Sequence, residues 1–248
     1  MTSTPTPIAD SNILDARERL IVALDYPTAR QALDLVDRLE GTCTWLKVGM
    51  ELYYAAGNSL VETLRRRGYN VFLDLKLHDI PNTVAGAVRT VTQVGASLLT
   101  LHASGGRAMM TAAAAAATAP GSPRLLAVSV LTSMDSEELA GVGVTDTPTA
   151  QVLRLSTLAK QCGINGIVCS PQEVDEVREA LGAQALLVTP GIRGAGDAVG
   201  DQRRIATAGD AIGRGASMLV VGRPITQAAV PAQAASLLLQ EIARADKR

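Results

Sequence analysis

The chain has 248 residues, 47% of them hydrophobic, only 2% aromatic, with a formal net charge of −1. That length is enough for one full hydrophobic core. The balanced charge excludes the basic field that draws proteins to DNA, RNA or anionic membranes, and one Trp, one Phe and four Tyr are too few for a base-stacking surface. What remains is a protein acting on small molecules, with a few local cations for any anionic ligand.

The opening residues, MTSTPTPIADSN, have neither a basic n-region nor a hydrophobic h-region, so 1–18 reads as a flexible leader rather than a signal peptide. From 19 to 248, short β-rich runs alternate with Ala/Leu/Arg-rich helical segments. Strands are expected at 20–25 (LIVALD), 44–48 (TWLKV), 70–76 (NVFLDLK) and 97–102 (SLLTLH). Four more follow at 125–130 (LLAVSV), 166–170 (GIVCS), 185–189 (ALLVT) and 217–222 (SMLVVG). Helices are expected at 28–39, 59–67, 83–94, 107–119, 149–162, 171–181, 203–214 and 231–245. The alanine run at 112–117 extends the fourth of these and carries no function. Near-continuous apolar strands suit a parallel sheet buried on both faces. No composition break divides the chain. The expected fold is therefore a single-domain α/β structure, a (β/α)8 TIM barrel of about the usual 250 residues.

Two long connections follow strands, at 132–148 (TSMDSEELAGVGVTDTP) and 191–202 (GIRGAGDAVGDQ). Both belong at the C-terminal rim, where barrel active sites sit. The glycines of the second suit a mobile lid. Cys43, Cys162 and Cys169 are an odd set without C-x-x-C spacing, which fits buried, reduced thiols in the cytoplasm. No apolar stretch approaches the ~18 residues of a membrane span.

Charge at strand ends is the informative anomaly, because buried charge is costly unless paired. Asp25 closes the first strand, Lys47 nears the end of the second, Asp74 and Lys76 end the third, and Arg223 follows the eighth. Period-two geometry puts Asp74 and Lys76 on one face. Asp79 follows in DLKLHDIPNTV. An alternating network of these carboxylates with Lys47 and Lys76 would hold the lysines charged and positioned. Spacing alone leaves open a rim salt-bridge network without chemistry.

The string at 74–84 resembles the signature of the orotidine 5'-monophosphate decarboxylase family. The likeness continues through VALDYP (22–27), LKVG (46–49), HASGG (102–106), VLTSM (130–134), VTPGIR (188–193), GDQRR (200–204) and VGRPIT (221–226). It covers nearly the whole chain from residue 20 and is nearest to the bacterial branch. The resemblance implies decarboxylation of orotidine 5'-monophosphate to uridine 5'-monophosphate, with no cofactor and no metal. It implies that Lys76 faces C6 and donates the proton, that Asp74 lies beside the departing carboxylate, and that Lys47 and Asp25 reach the ribose. Thr132 would bond the pyrimidine edge; without the family it reads equally as a cap for a following turn. Arg193, Gln202, Gly222 and Arg223 would hold the phosphate, at the loops where barrels usually bind it. A homodimer is implied, in which Asp79 and Thr83 serve the partner's site.

His78 and His102 have no metal spacing and are read as packing or hydrogen-bonding residues. Gly105 and Gly106 read as turn chemistry, Met109 and Met110 as core, and Glu51 as a helix-start residue. Two rival functions stand beside the first. One is a magnesium-dependent sugar-phosphate decarboxylase or aldolase of the same barrel group, which lacks the IPNT continuation and the TSM contact. The other is a non-catalytic nucleotide-binding barrel, disfavoured by the complete set of Lys47, Asp74, Lys76 and Asp79.

Overall fold

In the first strand, Leu20 and Val22 pack outward under the helices while Ile21 and Ala23 point into the sheet's interior. That alternation repeats around a closed barrel of eight parallel strands in sequence order. The computed structural model describes residues 16–194 and 205–246. The strands are β1 (Leu20–Ala23), β2 (Trp45–Gly49), β3 (Asn70–Leu77) and β4 (Leu98–His102), then β5 (Arg124–Val128), β6 (Gly166–Val168), β7 (Leu186–Thr189) and β8 (Met218–Val221). β8 pairs with β1 in parallel and closes the barrel. Ile21, Phe72, Leu98, Leu126, Val188 and Met218 fill the interior, so the barrel is a packed core and not a pore. The outer core lies between sheet and helices.

Helices α1 (Ala29–Arg38), α2 (Met50–Arg66), α3 (Pro81–Val94) and α4 (Gly106–Ala116) follow the first four strands. Two of these starts have a clear local cause. The Thr28 side chain accepts from the Gln31 backbone N–H to cap α1. Pro81 opens α3, and Gly95, left-handed at φ 81°, ends it. α2 begins nine residues ahead of the expected 59, directly after β2. Glu51 lies in its first turn, as read from the sequence. The kink that hid this helix is Gly57, at φ 63° and ψ −161°. A residue without Cβ takes that conformation readily and interrupts the apolar period.

The connection at 132–148 is not all loop. Asp135 accepts from the N–H groups of Glu137 and Glu138 and so starts α5 (Ser136–Gly141). The D-S-E-E string that makes this cap was legible, but six residues show too little periodicity to flag a helix. Next come α6 (Pro148–Gln161), α7 (Val174–Leu181), α8 (Ala208–Gly213), the single-turn α9 (Arg223–Thr226) and α10 (Pro231–Ala245). The expected helix at 203–214 is seen over Ala208–Gly213, with 203 and 204 outside the described residues.

Ala16 is fully buried, the Arg17 carbonyl accepts from Thr44, and Glu18 accepts from the Trp45 indole at 2.9 Å. Residues 16–18 of the expected leader thus contact the barrel. All three cysteines are buried, and none forms a disulfide among the described residues. No described helix is long and apolar enough to cross a membrane.

Candidate active site

Three inward positions near the C-terminal end of the barrel break the apolar pattern. Lys47 follows Trp45 on the inner face of β2, Asp74 follows Phe72 on β3, and Thr100 follows Leu98 on β4. Lys47 is buried, yet its ammonium lies 3.0 Å from Asp25 Oδ1 and 3.7 Å from Asp74 Oδ2. Asp74 Oδ1 also accepts from Lys76 Nζ at 2.7 Å. The order Asp25–Lys47–Asp74–Lys76 alternates in sign, which offsets the cost of placing charge in the barrel. Room for it is built in: a Cβ on Gly49 would lie 3.1 Å from Lys47 Nζ.

β3 is not a regular strand where it carries this chemistry. Phe72 and Leu73 pair with Leu98 and Leu99, and the next pair is Leu77 with Leu101. Residues 74–76 therefore stand opposite Thr100 alone, in a bulge that re-aims side chains at the barrel rim. Lys76 sits at φ 50°, a left-handed conformation that costs a non-glycine residue about 1–2 kcal/mol. Thr100, fully buried, accepts from the Lys76 backbone N–H at 2.9 Å and donates to Asp74 Oδ1 at 3.1 Å.

Burial opposes ionisation of Asp74, but Lys47, Lys76 and the hydrogen bonds from Lys76 and Thr100 outweigh it and hold the carboxyl below its usual range. The His102 imidazole moves down from its ordinary value, through burial first and then through His78 and Lys76. Its ring lies 5.4 Å from that of His78.

A cavity of about 780 Å³ opens above this network. Asp25, Lys47, Asp74 and Lys76 line it, as do Thr132, Arg193, Gly222 and Arg223. Four carboxylate and ammonium groups thus share one space with two guanidinium side chains. The wall is apolar where Val128, Val130, Val168 and Val220 face it. Such a space can hold a polyanionic ligand whose uncharged middle lies against the valines.

Two expected site residues lie elsewhere. Asp79 is exposed and does not join the lysine network of its own chain; its Oδ1 accepts from the Ile80 N–H at 2.6 Å. Thr83 is exposed in the first turn of α3. Neither lines the cavity. Gln202 lies outside the described residues. Sequence reading missed Tyr26, Ser133, Thr226 and Gln227, which also line the cavity. Two of them adjoin the predicted residues Asp25 and Thr132, so their rim loops were the available signal. The Tyr26 hydroxyl donates to the Thr226 carbonyl at 3.3 Å and ties the first loop to α9.

The family described as orotidine 5'-phosphate decarboxylase / HUMPS matches residues 18–238. The orotidine 5'-phosphate decarboxylase of Nitrosospira multiformis is 52% identical over 224 residues, covering 90% of this chain and 93% of its own. That of Halorhodospira halophila is 51% identical, covering 92% and 97%. Among solved structures, orotidine 5'-phosphate decarboxylase from Lactobacillus acidophilus superimposes with a TM-score of 0.80 at 38% identity, covering 90% and 98%.

Proposed function

The chain belongs to the orotidine 5'-phosphate decarboxylase / HUMPS family, and on that premise we propose how its barrel mouth turns orotidine 5'-monophosphate into uridine 5'-monophosphate and carbon dioxide. The chain is an orotidine 5'-phosphate decarboxylase, a carboxy-lyase of pyrimidine biosynthesis. The observation that carries the mechanism is the Asp25–Lys47–Asp74–Lys76 series in one cavity with Arg193 and Arg223.

Breaking the bond from C6 to the carboxylate leaves an electron pair in the ring plane, which the π system does not delocalise. Stabilisation has to come from fixed charge near C6. Lys76 supplies it, then passes a proton from Nζ to C6, and its amine regains one from water. Asp74 holds Lys76 and crowds the substrate carboxylate. Lys47 and Asp25 bind the ribose, and Thr132 bonds the pyrimidine. Arg193, Gln202, Gly222 and Arg223 bind the phosphate, and that remote binding energy is available for the reacting centre.

Asp79 and Thr83 act across a homodimer, in the partner's site. Their exposure and their absence from the lining of their own cavity support this, as does Ile80, 67% exposed between them. The cytoplasm is the compartment that three buried cysteines outside any disulfide suit. The sugar-phosphate alternative would add Glu51 to the cavity carboxylates to hold magnesium, and Glu51 is exposed on α2 and does not line the cavity.

The purified protein should consume orotidine 5'-monophosphate in a spectrophotometric assay, at a rate unchanged by dialysis against a chelator. Activity lost to the chelator and restored by magnesium would move the chain to the sugar-phosphate reading. Arg223→Ala should chiefly raise KM, by roughly 10- to 100-fold for one charged hydrogen-bonding group. The dephosphorylated nucleoside should lose kcat as well as affinity. If the nucleoside turns over nearly as well as the nucleotide, phosphate binding does not assist the chemistry.

A further inference from the structure

Thr100 belongs to no site residue assigned above, yet it is the single β4 residue facing the three-residue bulge that carries Asp74 and Lys76. A hydroxyl has one proton to give. The Lys76 amide only donates and the ionised Asp74 only accepts, so the direction of both bonds is fixed. We propose that Thr100 is the positioning residue of the decarboxylation site, its hydroxyl locking the Lys76 backbone and the Asp74 carboxylate into one geometry. The inference rests on the reading of Asp74 and Lys76 as the groups at the reacting carbon.

Three observations converge on it. Lys76 holds a left-handed conformation that needs an outside restraint, and its amide has lost its place in the β3–β4 ladder. The Thr100 hydroxyl supplies the missing acceptor. Asp74 Oδ1 takes bonds from both Thr100 and Lys76 Nζ, which stops the carboxylate from rotating and carrying the ammonium with it. Thr100 is fully buried and does not line the cavity, so it acts through these two residues and not on substrate.

The test compares Thr100→Val, Thr100→Ala and Thr100→Ser in the full chain, reading kcat, the Kd of uridine 5'-monophosphate and the thermal midpoint. Valine keeps the shape and the β preference but removes the hydroxyl. Its kcat should fall about 10- to 100-fold, the effect of a lost charge-assisted bond and a displaced reacting group. Nucleotide Kd should stay within about threefold, since binding energy comes mainly from phosphate and ribose contacts. Serine should keep kcat within about threefold of wild type because it retains both bonds.

A normal kcat in Thr100→Val, an equal loss of kcat and nucleotide binding, or a Thr100→Ser protein as impaired as Thr100→Ala would each overturn the proposal. Should the valine protein not fold, serine and alanine differ by the hydroxyl alone, and a kcat ratio under about threefold between them overturns it equally. Lys76→Ala separates the two layers of inference. An active Lys76→Ala enzyme would sink the assignment of Lys76 itself. An inactive one beside a normal Thr100→Val would remove only the positioning role.

Discussion

Lys76→Ala should lower kcat by at least about 10⁴-fold, while the Kd of uridine 5'-monophosphate changes by less than about tenfold. The size follows from two losses at one atom. A preorganised charge facing the nascent carbanion contributes on the order of 10²–10³, and a positioned proton donor on the order of 10²–10⁴. In the proposed mechanism the same ammonium supplies both. Little of this should appear in ground-state binding, because the charge assigned to Lys76 for stabilisation is created only as the C6 bond breaks. The surroundings of Asp74 change as well. Lys76 Nζ is 2.7 Å from Asp74 Oδ1, so its removal leaves that carboxylate with Lys47 as its remaining cation, 3.7 Å away. Asp74 then presents more negative charge to the substrate carboxylate, and on this reading no cation faces C6 to stabilise the electron pair left there. A Lys76→Ala protein that loses nucleotide binding and turnover by the same factor would show the lysine to be a binding anchor.

How much of this was legible depends on which residues carried the signal. Short, near-continuous apolar runs between helical segments sufficed for the eight strands, since a strand buried on both faces has little freedom in composition. Charges at strand ends pointed to Asp25, Lys47, Asp74 and Lys76 because buried charge demands a reason. The bulge at 74–76 was not legible. Period-two reading placed Asp74 and Lys76 on one face of a regular strand, whereas Lys76 reaches Asp74 through a left-handed backbone. Nothing in DLKLHD marks that conformation, which glycine or asparagine would have signalled. Thr100 was invisible for a related reason. A threonine in a strand is ordinary, and only the register against β3 shows that its hydroxyl bridges two charged residues. The early start of α2 was lost to one glycine, Gly57.

Mixing two inactive proteins, Lys76→Ala and Asp79→Ala, should restore activity to about a quarter of the wild-type value under conditions of subunit exchange. In the proposed homodimer, each of the two proteins lacks one essential group in both sites. If Asp79 serves the neighbouring subunit, a mixed two-fold dimer places both lesions in one site and none in the other. Random exchange of equal amounts makes about half the dimers mixed, so about a quarter of all sites are intact. The geometry motivates the design. Lys76 points into its own cavity, whereas Asp79 is exposed three residues later and bonds only the Ile80 N–H beside it among the described residues. The turn after β3 is what separates them: it carries the chain from the barrel mouth to the start of α3, where Asp79, Ile80 and Thr83 all stand exposed. A carboxylate placed there is badly sited to act on its own lysines and well sited to meet a second copy. Subunit exchange can be followed independently with differently tagged chains. If tagged dimers form and no activity returns, Asp79 acts within its own subunit, and the shared site is wrong even though each single substitution is inactive.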